Sequence, residues 1–338
     1  MIPFFSYNMV ILGIESSCDE TAASIVNNGK ILSNSVYTQK IHKKYGGVVP
    51  EIASREHEIQ IISVVRDALE KSKLTIKQID GIAVTYGPGL MGALLVGLNF
   101  AKGLSLSLDV PYIGINHLEG HLYASLIDNK NIKYPFINLL VSGGHTQIWQ
   151  VNNFGSYDLL GSTVDDAAGE AFDKGARMLG LNYPGGPEIE RYSIGGIKDK
   201  YTFPRPINKK SKLDFSFSGL KTSLLYLCQN MTKKEINENI NDICASYQEA
   251  IVDTLLIRLK HAMVKTKIKT ISISGGVAAN KRFREKLSKD FSIDSTIFFP
   301  PMEYCTDNAA MIALTGEVLL NKDEYSDFNL KPIPNLSL

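Results

Sequence analysis

The sequence predicts an α/β protein built from two halves of the same topology. Three observations carry this expectation. Short apolar runs bounded by turn residues alternate with longer runs of helical period. The order at the start is strand, strand, strand, helix, strand, helix, strand, helix. The opening pattern (strand, serine-containing turn, strand, asparagine–glycine turn, strand) then begins again near Phe136.

The elements follow in order. Val10 to Ile14 reads as a buried strand running into the polar turn Glu15-Ser16-Ser17-Cys18-Asp19-Glu20. Thr21 to Val26 and Lys30 to Thr38 read as strands joined at Asn27-Asn28-Gly29. Glu51 to Lys71 is expected to be a helix with Ile52, Ile59, Ile62, Val65 and Leu69 on one side. His57 in this helix is read as a surface or packing residue. Ile82 to Thr85 is a strand, and Leu90 to Leu106 a buried helix in which Gly92 and Gly97 allow tight packing. Tyr112 to Ile115 is the next strand, and His117 to Ile127 a helix that Asn116 would cap. This order is that of one half of an actin-like or RNase H-like domain pair.

The second half repeats it. Phe136 to Val141, His145 to Val151 and Tyr157 to Gly161 read as strands, with turns at Ser142-Gly143-Gly144 and Asn152 to Gly155. Two such halves facing each other would set their serine turns across an inter-domain nucleotide cleft, where backbone N–H groups and hydroxyls hold phosphates. Val164 to Leu179 is expected to be a helix with Asp165 and Asp166 in its first turn, where carboxylates suit the helix dipole. Asp173, later in that helix, lacks this explanation. Tyr183 to Pro187 is a rigid loop. Residues 195–217 look irregular, with Lys209, Lys210 and Lys212 clustered. Ile243 to Met263 reads as an amphipathic helix with Arg258, Lys260 and an exposed His261. After the strand Thr270 to Ser274, Gly275 to Asn280 would let a flat ring or ribose lie close on the backbone and open a helix to Leu287. Thr296 to Phe299 is the last strand. The helix Asp307 to Leu320 is expected to return to the first domain, and the tail beyond Asn321 to fray. The domains expected are therefore a leader at 1–8, a first actin-like domain at 9–130 plus 306–338, and a second at 131–305.

His117 and His121 stand four residues apart, so on a helix both imidazoles project from one face. Two neutral imidazoles side by side are half of a divalent-metal site. They follow a strand, where open α/β sheets place their ligands. Glu119 is two residues from each and points away. The best third ligand is Asp307, expected in the first turn of a helix capped by Thr306 after the Pro300-Pro301 turn.

Bulk properties set the class. At 338 residues the chain is long enough for two domains with their own cores. The formal net charge of +1 gives no field favouring nucleic acid as a whole, so any RNA contact must use local basic patches. Cys18, Cys228, Cys244 and Cys305 form no CxxC pair, which argues against a zinc ribbon or a disulfide scaffold and fits a reducing, cytoplasmic setting. No run of about 20 apolar residues marks a membrane span. The leader Met1 to Asn8 lacks a basic start and a cleavage site, and Met9 opens the first strand equally well.

Together these motifs resemble the bacterial TsaD family, the tRNA N6-adenosine threonylcarbamoyltransferases, over about residues 9–320. The runs that carry the resemblance are Glu15 to Thr21, Gly46 to Glu51, Asn116 to His121, Val141 to Thr146, Gly169 to Lys174, Tyr183 to Pro187, Phe215 to Thr222, Gly275 to Asn280 and Cys305 to Ala310. The resemblance implies that His117, His121 and Asp307 are metal ligands. It implies that Leu140, Val141, Ser142, Gly143, Gly144, Asp173, Gly186 and Asn280 contact the adenylate substrate. Glu190 falls where many relatives carry Asp, one methylene shorter. Gly175 stands where Val is common, which reads as packing.

The implied reaction moves a threonylcarbamoyl group from threonylcarbamoyl-AMP to N6 of adenosine 37 in tRNAs that read codons beginning with A. One divalent metal is implied, iron(II) favoured and zinc the alternative. No general base stands out; Asp19, Glu20 and His145 are the candidates for a catalytic group. Implied partners are tRNA, an upstream adenylate-forming enzyme, a paralogous dimerisation subunit and a small P-loop ATPase, with no membrane. The helices Glu51–Lys71 and Leu90–Leu106 are candidate pairing surfaces. Three other readings compete. A metalloprotease with H-E-x-x-H would need Glu where Leu118 stands. A plain actin-like ATPase or small-molecule kinase would use Mg²⁺, which prefers oxygen ligands. A non-catalytic paralogue would be expected to lack the two histidines and Asp307.

Overall fold

The computed structural model describes residues 9–127, 129, 132–205, 213–293 and 295–338. The leader at 1–8 and the cluster Lys209, Lys210 and Lys212 lie outside the described residues. In chain order the strands are β1 (Val10–Glu15), β2 (Glu20–Asn27), β3 (Lys30–Thr38), β4 (Gly81–Gly87), β5 (Tyr112–Asn116), β6 (Phe136–Val141), β7 (Thr146–Asn153), β8 (Ser156–Ser162), β9 (Thr270–Ser274) and β10 (Thr296–Phe298). The helices are α1 (Pro50–Ser72), α2 (Met91–Leu108), α3 (His117–Ala124), α4 (Ala168–Met178), α5 (Gly185–Ser193), α6 (Ser218–Gln229), α7 (Lys233–Glu238), α8 (Ile240–Thr266), α9 (Lys281–Phe291) and α10 (Ala309–Leu320). The chain divides into two units, Met1–Lys130 with Asp307–Leu338, and Asn131–Thr306.

The first unit holds a sheet in the order β3-β2-β1-β4-β5. β1 runs antiparallel to β2 and parallel to β4, and β5 is parallel to β4. Successive residues of β1 feed two different cores. Leu12 and Ile14 join Ile25, Ile82 and Val84 beneath α1 and α2. Ile11 joins Val26, Ala83 and Ile113 beneath Met311 and Ile312 of α10. Helices on both faces explain why these strands read as unbroken apolar runs rather than alternating ones. Because β1, β4 and β5 run the same way, their C-terminal ends share one edge. The turn after Glu15, the loop after Gly87 and the first turn of α3 therefore all open there.

The second unit repeats this plan. Its sheet, read from the other side, is β8-β7-β6-β9-β10, with β6 antiparallel to β7 and parallel to β9. One core gathers Ile137, Leu139 and Val141 of β6, Ile271 and Ile273 of β9, Phe172 of α4, Tyr247, Ile251 and Leu255 of α8, and Phe283 of α9. The chain is thus an α/β protein of two actin-like domains.

Several expectations need correction. α1 does not gather the five expected apolar residues on one side: Ile59 and Ile62 are 66% and 59% exposed, while Val65 is buried with Ala53, His57, Ile61, Val64 and Ala68. α3 ends at Ala124, not Ile127. α4 begins at Ala168, so Asp165 and Asp166 precede it. Asp165 accepts from Ser216 Oγ and Phe217 N, and Asp166 pairs with Lys174 and Lys221, which tie the preceding loop to α4 and α6. α8 is buried around most of its girth, including Arg258, so it is a core helix rather than an amphipathic one, and His261 is half-buried rather than exposed. Gly275, at φ +88°, leads into a single tight turn before α9 starts at Lys281 and runs to Phe291. α10 is capped by Asn308, whose side chain accepts from Met311 N, and not by Thr306. The tail beyond Asn321 is docked: Ser326 N donates to Tyr112 O at 2.9 Å and Ile333 N to Tyr86 O at 2.8 Å. Finally, α2 is long and apolar enough, by length and composition, to cross a membrane; it packs against α1 and β4.

Candidate metal centre

Three side chains of the first unit meet at the sheet edge. His117 and His121 come from the first and second turns of α3, and Asp307 from the segment just before α10. One donor atom from each lies within 4.8 Å of the others, and Glu119 is not part of the group. Asn116 starts α3 by accepting from Leu118 N at 2.9 Å, so the strand end and the cap together aim both imidazoles. The rings stand edge to face, 4.6 Å between centroids. His121 Nε2 is 3.1 Å from Asp307 Oδ1, and His117 Nε2 is 3.5 Å from the same oxygen. Because Asp307 precedes the cap residue Asn308, it lies in the bend before α10 and not in a helical turn as expected.

A second carboxylate completes the geometry. Buried Glu15, at the end of β1, accepts from His117 Nδ1 at 2.9 Å, from Thr85 Oγ1 at 2.6 Å and from Ser17 N at 2.5 Å. A carboxylate can only accept, so the His117 proton sits on Nδ1 and Nε2 is the nitrogen free to ligate. Sequence reasoning missed this role. The available signal was an acidic residue closing an otherwise apolar strand, read there only as the start of a polar turn. The two carboxylates around His117 also favour its protonated ring, a positive charge that a bound metal ion would replace. Burial pulls the His117 imidazole down, but the charges of Glu15 and Asp307 outweigh it and hold it well above its ordinary value. Burial works to raise Asp307, but His117 and His121 hold it well below the usual carboxylate range. For His121 burial dominates and its pKa is lowered; its buried Nδ1 has no hydrogen-bond partner among the described residues.

Two imidazoles and one carboxylate, oriented from behind by a further carboxylate, are a donor set that could hold a divalent metal ion. The serine turn of this unit is not an open phosphate cradle, because Glu15 already takes the Ser17 N–H. His57 anchors that turn: Nε2 donates to Cys18 O at 2.9 Å, and Nδ1 accepts from Thr21 Oγ1 at 2.7 Å. Of the catalytic candidates, Asp19 and Glu20 lie half-buried on it. Burial, then Asp19 and Asp307, push the Glu20 carboxyl well above its ordinary value.

The residues expected to touch an adenylate all lie in the second unit. Ser142 closes a tight turn, donating its N–H to His145 O at 2.8 Å and accepting from His145 N through Oγ at 3.0 Å. Gly143 and Gly144 stay exposed at its tip, with open space where a Cβ would project. The turn abuts the start of α4, where Gly169 N donates to Ser142 O at 3.2 Å, so positive helix-end potential lies behind it. Leu140 and Val141 are wholly buried in β6 and can offer a ligand only backbone. Asp173 accepts from Gly185 N at 2.6 Å and so fixes the approach to Gly186. Asn280 caps α9 by accepting from Phe283 N at 2.9 Å, and donates to Gln248 Oε1 at 2.8 Å. Glu190 accepts from Lys281 N at 3.3 Å; its pKa is raised chiefly by burial. His145 is half-buried beside the Ser142 turn. Gly175 is a packing position, since a Cβ there would lie 2.5 Å from the Tyr247 ring.

A family model described as TsaD, tRNA N6-adenosine threonylcarbamoyltransferase, matches residues 30–314. The chain belongs to the TsaD family. Proteins carrying that description resemble it along their whole length. One from Thermosipho africanus is 51% identical, covering 98% of this chain and all of its own. One from Clostridioides difficile is 48% identical, covering 98% and 99%. Among solved structures, HypF of T. kodakarensis matches with a TM-score of 0.61 at 15% identity, over 95% of this chain and 49% of its own. The activator of the 2-hydroxyisocaproyl-CoA dehydratase from Clostridium difficile matches at 0.54 and 15%, over 95% and 100%. At that identity these two speak for the fold alone. Membership in TsaD implies a divalent metal, and His117, His121 and Asp307 are the group that could hold it.

Proposed function

We propose that this protein transfers the threonylcarbamoyl group of L-threonylcarbamoyl-AMP to N6 of adenosine 37 in tRNAs reading codons that begin with A, releasing AMP. The reading is supported by whole-length similarity to tRNA N6-adenosine threonylcarbamoyltransferases together with the convergence of His117, His121 and Asp307. In the step itself the adenine N6 attacks the carbamoyl carbon and a C–N bond forms. The C–O bond to the phosphate breaks, AMP departs with the electron pair, and N6 gives up a proton.

His117, His121 and Asp307 would hold the metal, iron(II) in preference to zinc, with Glu15 keeping His117 Nε2 turned to it. When bound, such a metal supplies Lewis-acid polarisation and a template for substrate oxygens. The exposed Gly143–Gly144 tip, backed by the α4 N-terminus, receives the phosphate, whose charge grows as AMP leaves. Asp173, Gly186, Glu190 and Asn280 shape the place of the nucleoside. An exocyclic amine is a weak nucleophile, so positioning carries much of the rate. Asp19, Glu20 and His145 are the candidates for taking the N6 proton.

The reading also brings partners. tRNA is the substrate, which puts the enzyme in the cytoplasm, and a separate enzyme supplies the adenylate. Exposed Ile59 and Ile62 on α1, with Met91, Leu95 and Leu106 on the adjoining α2, offer an apolar face to a paralogous subunit, and a small P-loop ATPase joins that complex. The deciding experiment is nucleoside mass spectrometry of tRNA from cells depleted of this protein. Loss of threonylcarbamoyladenosine is expected; an unchanged level with no redundant enzyme present would overturn the proposal.

A further inference from the structure

The geometry points to the C-terminal segment 326–337 as a strap that sets the metal helix and its flanking turn, making Asn116 a positioning residue read from outside the site. This rests on the metal reading of the triad given above. The segment follows the free edge of the first sheet, along β5. Ser326 N bonds Tyr112 O at 2.9 Å and its Oγ accepts from Gly114 N at 3.0 Å. Lys102 of α2 clamps it, donating to Phe328 O at 2.8 Å and Leu330 O at 2.6 Å. Phe328 lies 5.4 Å from the Tyr112 ring. Beyond Leu330 the strap turns onto the edge where the metal ligands stand.

Three contacts there have a direction. Ile333 N bonds Tyr86 O at 2.8 Å, and Pro334 O accepts from Gly89 N at 3.1 Å. The next residue, Leu90, donates to Ser17 O at 2.8 Å, and Ser17 Oγ lies 3.3 Å from His117 Nδ1. Finally, Ser337 O accepts from Asn116 Nδ2 at 3.1 Å. The same amide uses its oxygen to cap α3 at Leu118 N, so Ser337 decides which way the amide faces. The strap thus reaches His117 by two routes, through the cap of its helix and through the Ser17 turn. The strands are shaped to receive it. A Cβ at Gly114 would strike the Leu330 side chain and the Tyr86 ring, and one at Gly87 would strike the Ile333 carbonyl and come within 3.0 Å of Leu336 Cβ. Pro332 and Pro334 fix φ along this stretch, and Leu336 N closes a turn onto Ile333 O at 3.2 Å.

Two variants of the full chain test the idea. Deleting residues 335–338 removes the Ser337 carbonyl. Asn116→Ser keeps a capping oxygen but loses the donor to the strap. Each is expected to raise the dissociation constant for zinc(II), measured against a chromophoric chelator, by about 2- to 30-fold. Combined, they should cost no more than the larger single change, because they break one contact. Hydrogen exchange at the Leu118 amide should quicken in both, a readout that needs no metal. An unchanged zinc affinity with unchanged Leu118 protection, or effects that simply multiply, would overturn the inference. Should the deletion fail to fold, Asn116→Ser decides alone by the same two readouts. If the wild-type chain binds no zinc, the metal reading fails, and Leu118 exchange still decides the strap.

Discussion

Replacing Glu15 by Gln alters one atom type in the group that orients His117, and the consequence can be worked out bond by bond. The carboxylate accepts three hydrogen bonds, from Ser17 N, Thr85 Oγ1 and His117 Nδ1. The amide has one oxygen and one NH₂. If the oxygen stays with Ser17 N, the NH₂ meets His117 Nδ1–H, donor against donor. The imidazole then must move its proton to Nε2 and give up the nitrogen that faces Asp307. If the amide flips, the NH₂ meets Ser17 N–H instead. The first arrangement removes the ligating nitrogen, and the second leaves a buried donor unsatisfied, which costs about 1–3 kcal/mol. That agrees with the roughly 10- to 100-fold loss of metal affinity usual when a carboxylate behind a metal-binding histidine is removed. The assay is a chelator competition titration of purified Glu15→Gln and wild-type protein. A dissociation constant raised at least about 10-fold is expected. A change of less than about twofold, in a variant that melts like wild type, would refute the assignment of Glu15.

Three further outcomes follow from packing and charge. Gly175→Val should destabilise the chain by about 1–3 kcal/mol in denaturant titration, because the added Cβ meets the Tyr247 ring; an unshifted midpoint would contradict the packing role. Asn308→Ala should lose about 1 kcal/mol through the α10 cap, whereas Thr306→Ala should not lose a cap; equal losses would return the helix start to Thr306. Burial acts to raise Glu249, but bonds from Arg282 and Lys286 hold its carboxyl at about 2, below its ordinary 4.5. A carboxyl lowered by folding stabilises above its unfolded value and stops doing so as pH falls towards its folded value. The wild-type advantage over Glu249→Gln should therefore be full above about pH 5 and shrink towards pH 2; a constant difference across that range would refute it.

The plan of both sheets was readable because strands covered on two faces are almost wholly apolar, as Ile11 to Ile14 and, apart from the hydrogen-bonded Asn138, Ile137 to Val141 are. Asn116 and the four-residue spacing of His117 and His121 announced the metal helix for the same reason: both are local. What stayed hidden depends on distant or backbone partners. Glu15 meets His117 across 102 residues, and nothing beside it marks that meeting. The tail looked free because its anchors are carbonyls of Tyr112 and Tyr86, which leave no trace in side-chain pattern. Asp165 and Asp166 looked like a helix start, yet Phe217 N, Lys174 and Lys221 draw them into a loop. Ile59 and Ile62 were read on one side with Ile52, Val65 and Leu69 because they are apolar, although helix periodicity cannot separate a core face from a face offered to another chain.

The central claim is that His117, His121 and Asp307 seat one metal ion. Elemental analysis of purified wild type and His117→Ala measures this most directly. One equivalent in wild type and well below one in the variant is expected. A His117→Ala protein still fully loaded would contradict it.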